Sequence, residues 1–193
     1  MARASAEERK LMIIKAVLDV FRQKGISASS TRDVAEKTGL ARSHIYHYFK
    51  DWRELSIVAV EYFSYNEINE LQQRLEPLPA PNALSTFIWD YLPSQQDASW
   101  CIYLDAWNES LRDPVFAESY HKIIVAWRRL LEQILQKGID HGDFNNALDA
   151  NKLARQISAL VNGYADELIL DPSPTSTKQA FQDIMETVTK LLR

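Results

Sequence analysis

Four side chains near the start of the chain, Arg42, Ser43, Tyr46 and His47, fall at i, i+1, i+4 and i+5, which is one face of a helix. They bring together a cation, a hydroxyl, a phenol and an imidazole. All can donate hydrogen bonds, and that chemistry suits phosphate oxygens and base edges in a major groove. Ile45 and Phe49 lie on the other side and would hold such a helix, about Arg42 to Tyr48, to the protein. A second short helix must precede it, from about Thr31 to Lys37, with Val34 and Ala35 inward. Ser30 and Asp33 have the spacing of a capping box at its start, and Gly39 supplies the left-handed turn at its end. The stretch from Ser30 to Lys50 thus reads as a helix-turn-helix. Two short helices around a glycine also occur in many other helical proteins, so on the turn alone a DNA reader and a merely solvated polar face stand level.

Other chemistries find little support. Glu118-x-x-His121 has the helical spacing of a di-iron ligand pair, but such a site needs a second pair, and no other Glu-x-x-His exists. His44-x-x-His47 lacks the cysteine or carboxylate partners of a zinc site. Cys101 lies in an apolar helix and reads as buried filler. Neither a glycine-rich phosphate loop nor a nucleophile elbow is present. No catalytic residue, metal ligand or cofactor is assigned, and the chain is not read as an enzyme.

The net charge of −4 over 193 residues argues on its face against a nucleic-acid partner. Its distribution reverses that. Residues 1–55 hold 11 of the 22 Lys and Arg but only 7 of the 26 Asp and Glu, a net of +4, which leaves −8 for the remainder. A basic head on an acidic body suits a DNA reader joined to a separate module. No apolar run reaches the length of a membrane span and no signal segment opens the chain, so no membrane partner is expected. A single cysteine suits a reducing cytoplasm, the expected location.

Periodicity predicts helices throughout and gives an all-α fold class. The expected helices run from Ala6 to Lys24, over the two short elements, and from Asp51 to about Leu75 as a continuous lever of roughly 35 Å. After a break at Pro77–Pro81, Asn82 is expected to cap a helix to about Tyr91. Further helices cover about Ser99–Leu111, Val115–Lys137 (opened by Asp113-Pro114, stopped near Gly138 and Gly142), Ala150–Leu170 and, after a second break at Pro172 and Pro174, Thr177–Leu192. Residues 1–55 are expected to form a DNA-binding domain and residues 56–193 a helical domain for effector binding and dimerisation.

The block from Glu8 to Leu55 resembles the N-terminal domain of TetR-family transcriptional repressors. The residues that carry this are Ala16, Phe21 and Gly25, Thr31-Arg32-Asp33-Val34-Ala35, Thr38-Gly39-Leu40, Ile45-Tyr46-His47-Tyr48-Phe49-Lys50 and Glu54-Leu55. More loosely, the region from Trp100 to Leu192 resembles the BetI-like C-terminal subclass, through Trp107-x-Glu109-x-Leu111-Arg112-Asp113-Pro114, Trp127-Arg128-x-Leu130, Gly138-x-x-x-Gly142, Asn162-Gly163 and Asp171-Pro172. The resemblance implies a homodimer, paired through the last two long helices, that binds a palindromic double-stranded operator and is released by a small-molecule effector. It implies that Arg42 and Ser43 read base edges. Tyr46, His47 and Tyr48 then grip phosphates and a thymine methyl, with His44 in the same interface. Thr31 and Arg32 bind phosphate with help from a helix N-terminus, and Lys50 adds a cation. Two residues depart from the family pattern. Ala41 stands where a serine or threonine cap is usual, and Trp52 where a lysine commonly reaches phosphate.

The body is rich in aromatics interleaved with acids, among them Asp105, Glu109, Asp166 and Glu167. An aromatic stripe at helical spacing is as often plain core as a ligand box. The functional reading is a cavity between the lever and the helices that follow, lined by Tyr62, Tyr65, Trp89, Trp100, Tyr103, Trp107, Glu109, Trp127 and Tyr164. Rings with a carboxylate attract organic cations, so a polyamine or quaternary amine is the first effector class and a planar apolar compound the second. The competing reading of the whole chain is a helical ligand-binding or interaction protein without specific DNA recognition.

Overall fold

Hydrophobic side chains recurring every three or four residues dictate helix after helix. The computed structural model, which describes residues 5–193, contains nine helices and no strand among the described residues. They are α1 (Ala6–Lys24), α2 (Thr31–Thr38), α3 (Arg42–Ile45), α4 (Trp52–Leu75), α5 (Ala80–Tyr91), α6 (Ala98–Ser110), α7 (Pro114–Asp140), α8 (Ala150–Leu168) and α9 (Pro174–Leu191). No described helix is long and apolar enough to cross a membrane.

The chain forms two compact units. The first comprises residues 1–66 and 98–123, hence α1 to α3, the first part of α4, α6 and the start of α7. Here α1 packs on α2 and on α6, and α2 on α3. Its core holds Ile13, Val17 and Phe21 of α1, Val34 of α2, Ile45, Phe49, Leu55 and Ala59, with Ile102 and Ala106 of α6. Burying each large side chain of this set contributes about 1.5–3 kcal/mol before the entropy of ordering is set against it. The start of α1 is closed by a capping box: Glu8 N–H donates to Ser5 Oγ at 3.1 Å, and Ser5 N–H to Glu8 Oε2 at 2.6 Å. At the far side of this unit Asp113 takes the N–H of Val115 at 2.9 Å and also pairs with Arg53 of α4 at 2.8 Å.

The second unit comprises residues 67–97 and 124–193. In it α8 and α9 pack on each other and both pack on α5. Leu153, Ile157 and Val161 of α8 meet a core shared with Ala180, Ile184 and Val188 of α9 and Leu84, Phe87 and Ile88 of α5. Lys137 of α7 donates to the carbonyls of Glu76 and Leu78 at 3.0 and 2.9 Å, satisfying the chain just beyond α4.

Several boundaries differ from the sequence expectation, and proline and glycine explain most of them. Helix α5 starts at Ala80 rather than after Asn82, because Pro81 lies in the first turn, where a missing N–H costs nothing. Pro174 likewise opens α9 under a Ser173 cap instead of breaking the chain, three residues before the expected start. Helix α7 runs through Gly138 to Asp140. Gly138 is there because the Phe144 ring lies where a Cβ would be.

Candidate functional site

The helix-turn-helix is assembled by local hydrogen bonds. Asp33 accepts the Ser30 N–H at 2.9 Å and the Ser30 hydroxyl at 2.7 Å, and its other oxygen pairs with the Lys24 ammonium. Chiefly through Lys24, and then Ser30, the Asp33 carboxyl is held at about 2, well below its usual 3.8. Gly39 closes α2 at φ +68°, in the left-handed region. The Thr38 hydroxyl donates back to Val34 O at 2.7 Å and accepts the Leu40 N–H at 3.3 Å. Helix α3 then starts at Ala41 with no side-chain cap.

That helix was expected to reach Tyr48, and it ends at Ile45. His47 N–H donates to His44 O at 3.3 Å and Tyr48 N–H to Ile45 O at 3.0 Å, the tighter i−3 pattern that finishes many helices. Ile45 and Phe49, four residues apart on one side, are both buried, and the Phe49 N–H still reaches Ile45 O at 3.2 Å across the tightened turn. Asp51 then opens α4 by accepting the Glu54 N–H at 2.8 Å, while the Glu54 carboxylate takes the Lys50 N–H.

Arg42, Ser43, Tyr46, His47 and Lys50 are exposed on this segment. His44 and Tyr48 are half-buried; their rings stack with centroids 5.7 Å apart, and His47 meets the Tyr48 ring edge-on at 5.2 Å. Arg32 is exposed and shares its charge with Glu36 at 3.0 Å. Thr31 is only 3% exposed, and its hydroxyl lies 2.7 Å from that of Tyr46. Trp52 is half-buried, edge-on against Phe21 at 6.0 Å. The structure therefore brings the nine sequence-predicted DNA residues onto one segment and the helix before it.

The nine effector residues fall into separate groups. In the first unit Trp100 and Tyr103 are neighbours at 6.2 Å, and Tyr103 meets Phe63 at 5.4 Å. The Arg22 guanidinium lies 5.7 Å from the Phe63 ring centre. Tyr62 and Glu109 are half-buried and Tyr65 is exposed in the same unit, while Trp107, 55% exposed, stands at the surface. In the second unit Trp127 sits edge-on to Tyr91 at 5.8 Å and to Phe87 at 6.3 Å. Trp89 is an exposed ring against Phe181, and Tyr164 is half-buried on α8.

Sequence reasoning passed over several residues of this arrangement. Tyr91 and Phe87 complete the Trp127 group, and the Tyr91 phenol donates to Asn162 Oδ1 at 2.6 Å. Glu61 accepts the hydroxyl of the buried Ser119 at 2.5 Å. Asp105, one of the acids interleaved with the aromatics, accepts the backbone N–H of Ile26 at 2.9 Å. The interleaving of Tyr91 with Trp89 on α5 was a usable signal; the partners of Glu61 and Asp105 leave no local trace. Glu118 pairs with Lys122 at 2.9 Å, and no group of three metal-ligating side chains occurs among the described residues.

Two family profiles match the chain, one in its N-terminal part and one in its C-terminal part. Residues 13–56 match the profile of bacterial regulatory proteins of the tetR family, and residues 81–193 match the C-terminal domain of BetI-type transcriptional repressors. The chain is 26% identical over 145 residues to the HTH-type transcriptional regulator YfiR of Bacillus subtilis, covering 72% of this chain and 69% of that protein. It shares its fold with a transcriptional regulator from Saccharomonospora viridis solved in complex with choline (TM-score 0.80, 19% identity, 95% and 96% of the two chains). It shares it also with the regulator FadR from Bacillus subtilis solved in complex with stearoyl-CoA (TM-score 0.72, 18% identity, 95% and 99%).

Proposed function

The chain belongs to the TetR family of DNA-binding transcriptional regulators, with a BetI-type C-terminal domain, and on that footing we propose that it is a homodimeric repressor released from a palindromic operator by a small organic effector. The observation that carries the reading is the exposed set Arg42, Ser43, Tyr46, His47 and Lys50, held on a segment whose Ile45 and Phe49 are buried. Donors fixed by a packed backbone lose little freedom on binding, which is what base reading requires. Arg42 and Ser43 read base edges. Tyr46, His47, His44 and Tyr48 contact phosphate and methyl groups, and Arg32 and Lys50 add charge. Thr31 acts through Tyr46, because its hydroxyl is already engaged there.

Residues 1–55 serve as the DNA-binding part and residues 56–193 as the part for effector and partner. One head reads too few base edges for specific affinity at cellular salt, so two copies must act together. The pairing surface is α8 with α9. After their shared core is buried, Leu160, Tyr164, Met185 and Leu192 are still partly exposed, and Leu170 is 84% exposed. A self-complementary apolar surface of this kind suits a two-fold pair and a four-helix bundle. Operator half-sites fix the spacing of two heads at about 34–36 Å or a multiple of it, so an effector that favours another spacing releases the DNA. A full switch needs a preference of about 5 kcal/mol for the DNA-incompetent form.

The aromatic groups support an organic cation as effector, and the choline held by the Saccharomonospora regulator favours a quaternary amine within that class. The stearoyl-CoA of FadR favours an apolar acyl chain instead, a class different from the planar apolar compound expected second. Selection of a duplex from a random pool, followed by binding with choline, spermidine or stearoyl-CoA present, tests the whole reading. Weakened operator binding with one of the three is expected. Absence of any preferred duplex would sink the regulator mechanism, and an affinity unchanged by all three would sink the amine and the acyl-chain effectors.

A further inference from the structure

We infer that Asp105 is a positioning residue for DNA binding: from α6 its carboxylate holds the loop that leads into α2, and so places the reading motif without touching DNA. The inference rests on the DNA-binding reading above and extends it to a residue outside the helix-turn-helix. Helix α1 ends at Gly25, at φ +77°. The next residue, Ile26, buries its side chain and donates its N–H to Asp105 Oδ2 at 2.9 Å, across 79 residues of sequence. A charged acceptor on a backbone N–H is among the stronger hydrogen bonds a loop can make. The Ser29 hydroxyl folds the loop onto itself by donating to Gly25 O at 2.5 Å. At the loop's end Ser30 is bonded to Asp33, and Thr31 reaches Tyr46. A continuous run of bonds therefore leads from α6 to an exposed side chain of the reading segment.

Gly25 meets two independent demands of this arrangement. Its positive φ disfavours any side chain, and a Cβ there would lie 2.7 Å from Asp105 Oδ2. The carboxylate approaches so closely only because that space is empty. Asp105 shares α6 with Trp100 and Tyr103, the central pair of one aromatic group, so an event at those rings reaches the loop through a single helix.

The test uses the full chain, a duplex that the wild-type protein selects from a random pool, and a scrambled duplex of equal length. Asp105→Ala should lower affinity for the selected duplex about three- to tenfold, a fraction of the worth of one charge-assisted bond, and leave the scrambled duplex within about twofold. Asp105→Asn retains an acceptor oxygen and should restore the selected duplex to within about twofold of wild type. The Ile26 amide should exchange slowly with solvent in wild type and in the asparagine variant, and fast in the alanine variant. Equal binding of the selected duplex by wild type and Asp105→Ala overturns the inference alone. So does an asparagine variant as weak as alanine, or a wild-type Ile26 amide that exchanges like a free loop. These last two readouts decide the matter if the alanine variant fails to fold. A wild-type chain that selects no duplex removes the DNA-binding reading, and this inference with it.

Discussion

The hydroxyls of Thr31 and Tyr46 lie 2.7 Å apart, joining the first residue of α2 to the residue that follows α3. Thr31 is buried and Tyr46 is not, so a core position sets the direction of a surface phenol. A double-mutant cycle with Thr31→Val and Tyr46→Phe should give a coupling energy of about 0.5–1.5 kcal/mol in urea unfolding. A coupling indistinguishable from zero would mean that the two hydroxyls merely coincide.

Arg42 and Lys50 should behave differently on DNA. Arg42→Ala should cost about 1–3 kcal/mol on a selected duplex and much less on a scrambled one, as expected for a base contact. Lys50→Ala should weaken both duplexes alike and reduce the slope of log affinity against log salt by about one. Anisotropy titrations at several salt concentrations separate the two; equal losses for Arg42→Ala on both duplexes would assign Arg42 to the backbone.

Ala41 leaves the start of α3 without a side-chain cap, although its backbone has the extended conformation of a cap residue (φ −64°, ψ 142°). Serine there should stabilise the chain by about 0.5–1 kcal/mol. Thermal unfolding of Ala41→Ser should show a raised midpoint. A lowered one would show that the hydroxyl cannot reach a free N–H.

Asp33 links stability to acid. Its folded pKa is depressed to about 2 from 3.8, through Lys24 and Ser30. The unfolded chain therefore takes up the proton first as pH falls. The stabilisation is complete above about pH 4 and is lost as pH falls from there through about 2. The carboxyl carbon signal of Asp33 should titrate near 2, and Asp33→Asn should flatten that part of the acid limb. A titration midpoint near 4 would remove the linkage.

The elements that sequence reveals best are those whose causes are local. Helix α1 has the bounds its apolar stripe and Gly25 impose, and the turn at Gly39 follows from one residue's freedom to take φ +68°. The shortened α3 could not be read in this way: Ile45 and Phe49 share a face in a continuous helix and in the tighter turn alike, so their spacing does not mark its end. Pro81 and Pro174 looked like breaks, yet each lies where a helix has N–H groups to spare. The exposed polar cluster of the helix-turn-helix was legible because its residues sit within a few positions of one another. The effector residues were not: aromatic spacing on α6 is the same whether a ring faces Phe63, as Tyr103 does, or water, as Trp107 does. Asp105 illustrates the limit, since its partner is a backbone N–H that has no identity in the sequence.

Of the five tryptophans only Trp52 precedes residue 89, and its indole is pinned edge-on to Phe21 immediately after the reading segment. At a position where the family resemblance leads one to expect a lysine, this protein thus carries a chromophore. With the other four indoles replaced by phenylalanine, light emitted from the head alone would register docking on a duplex, with no attached dye.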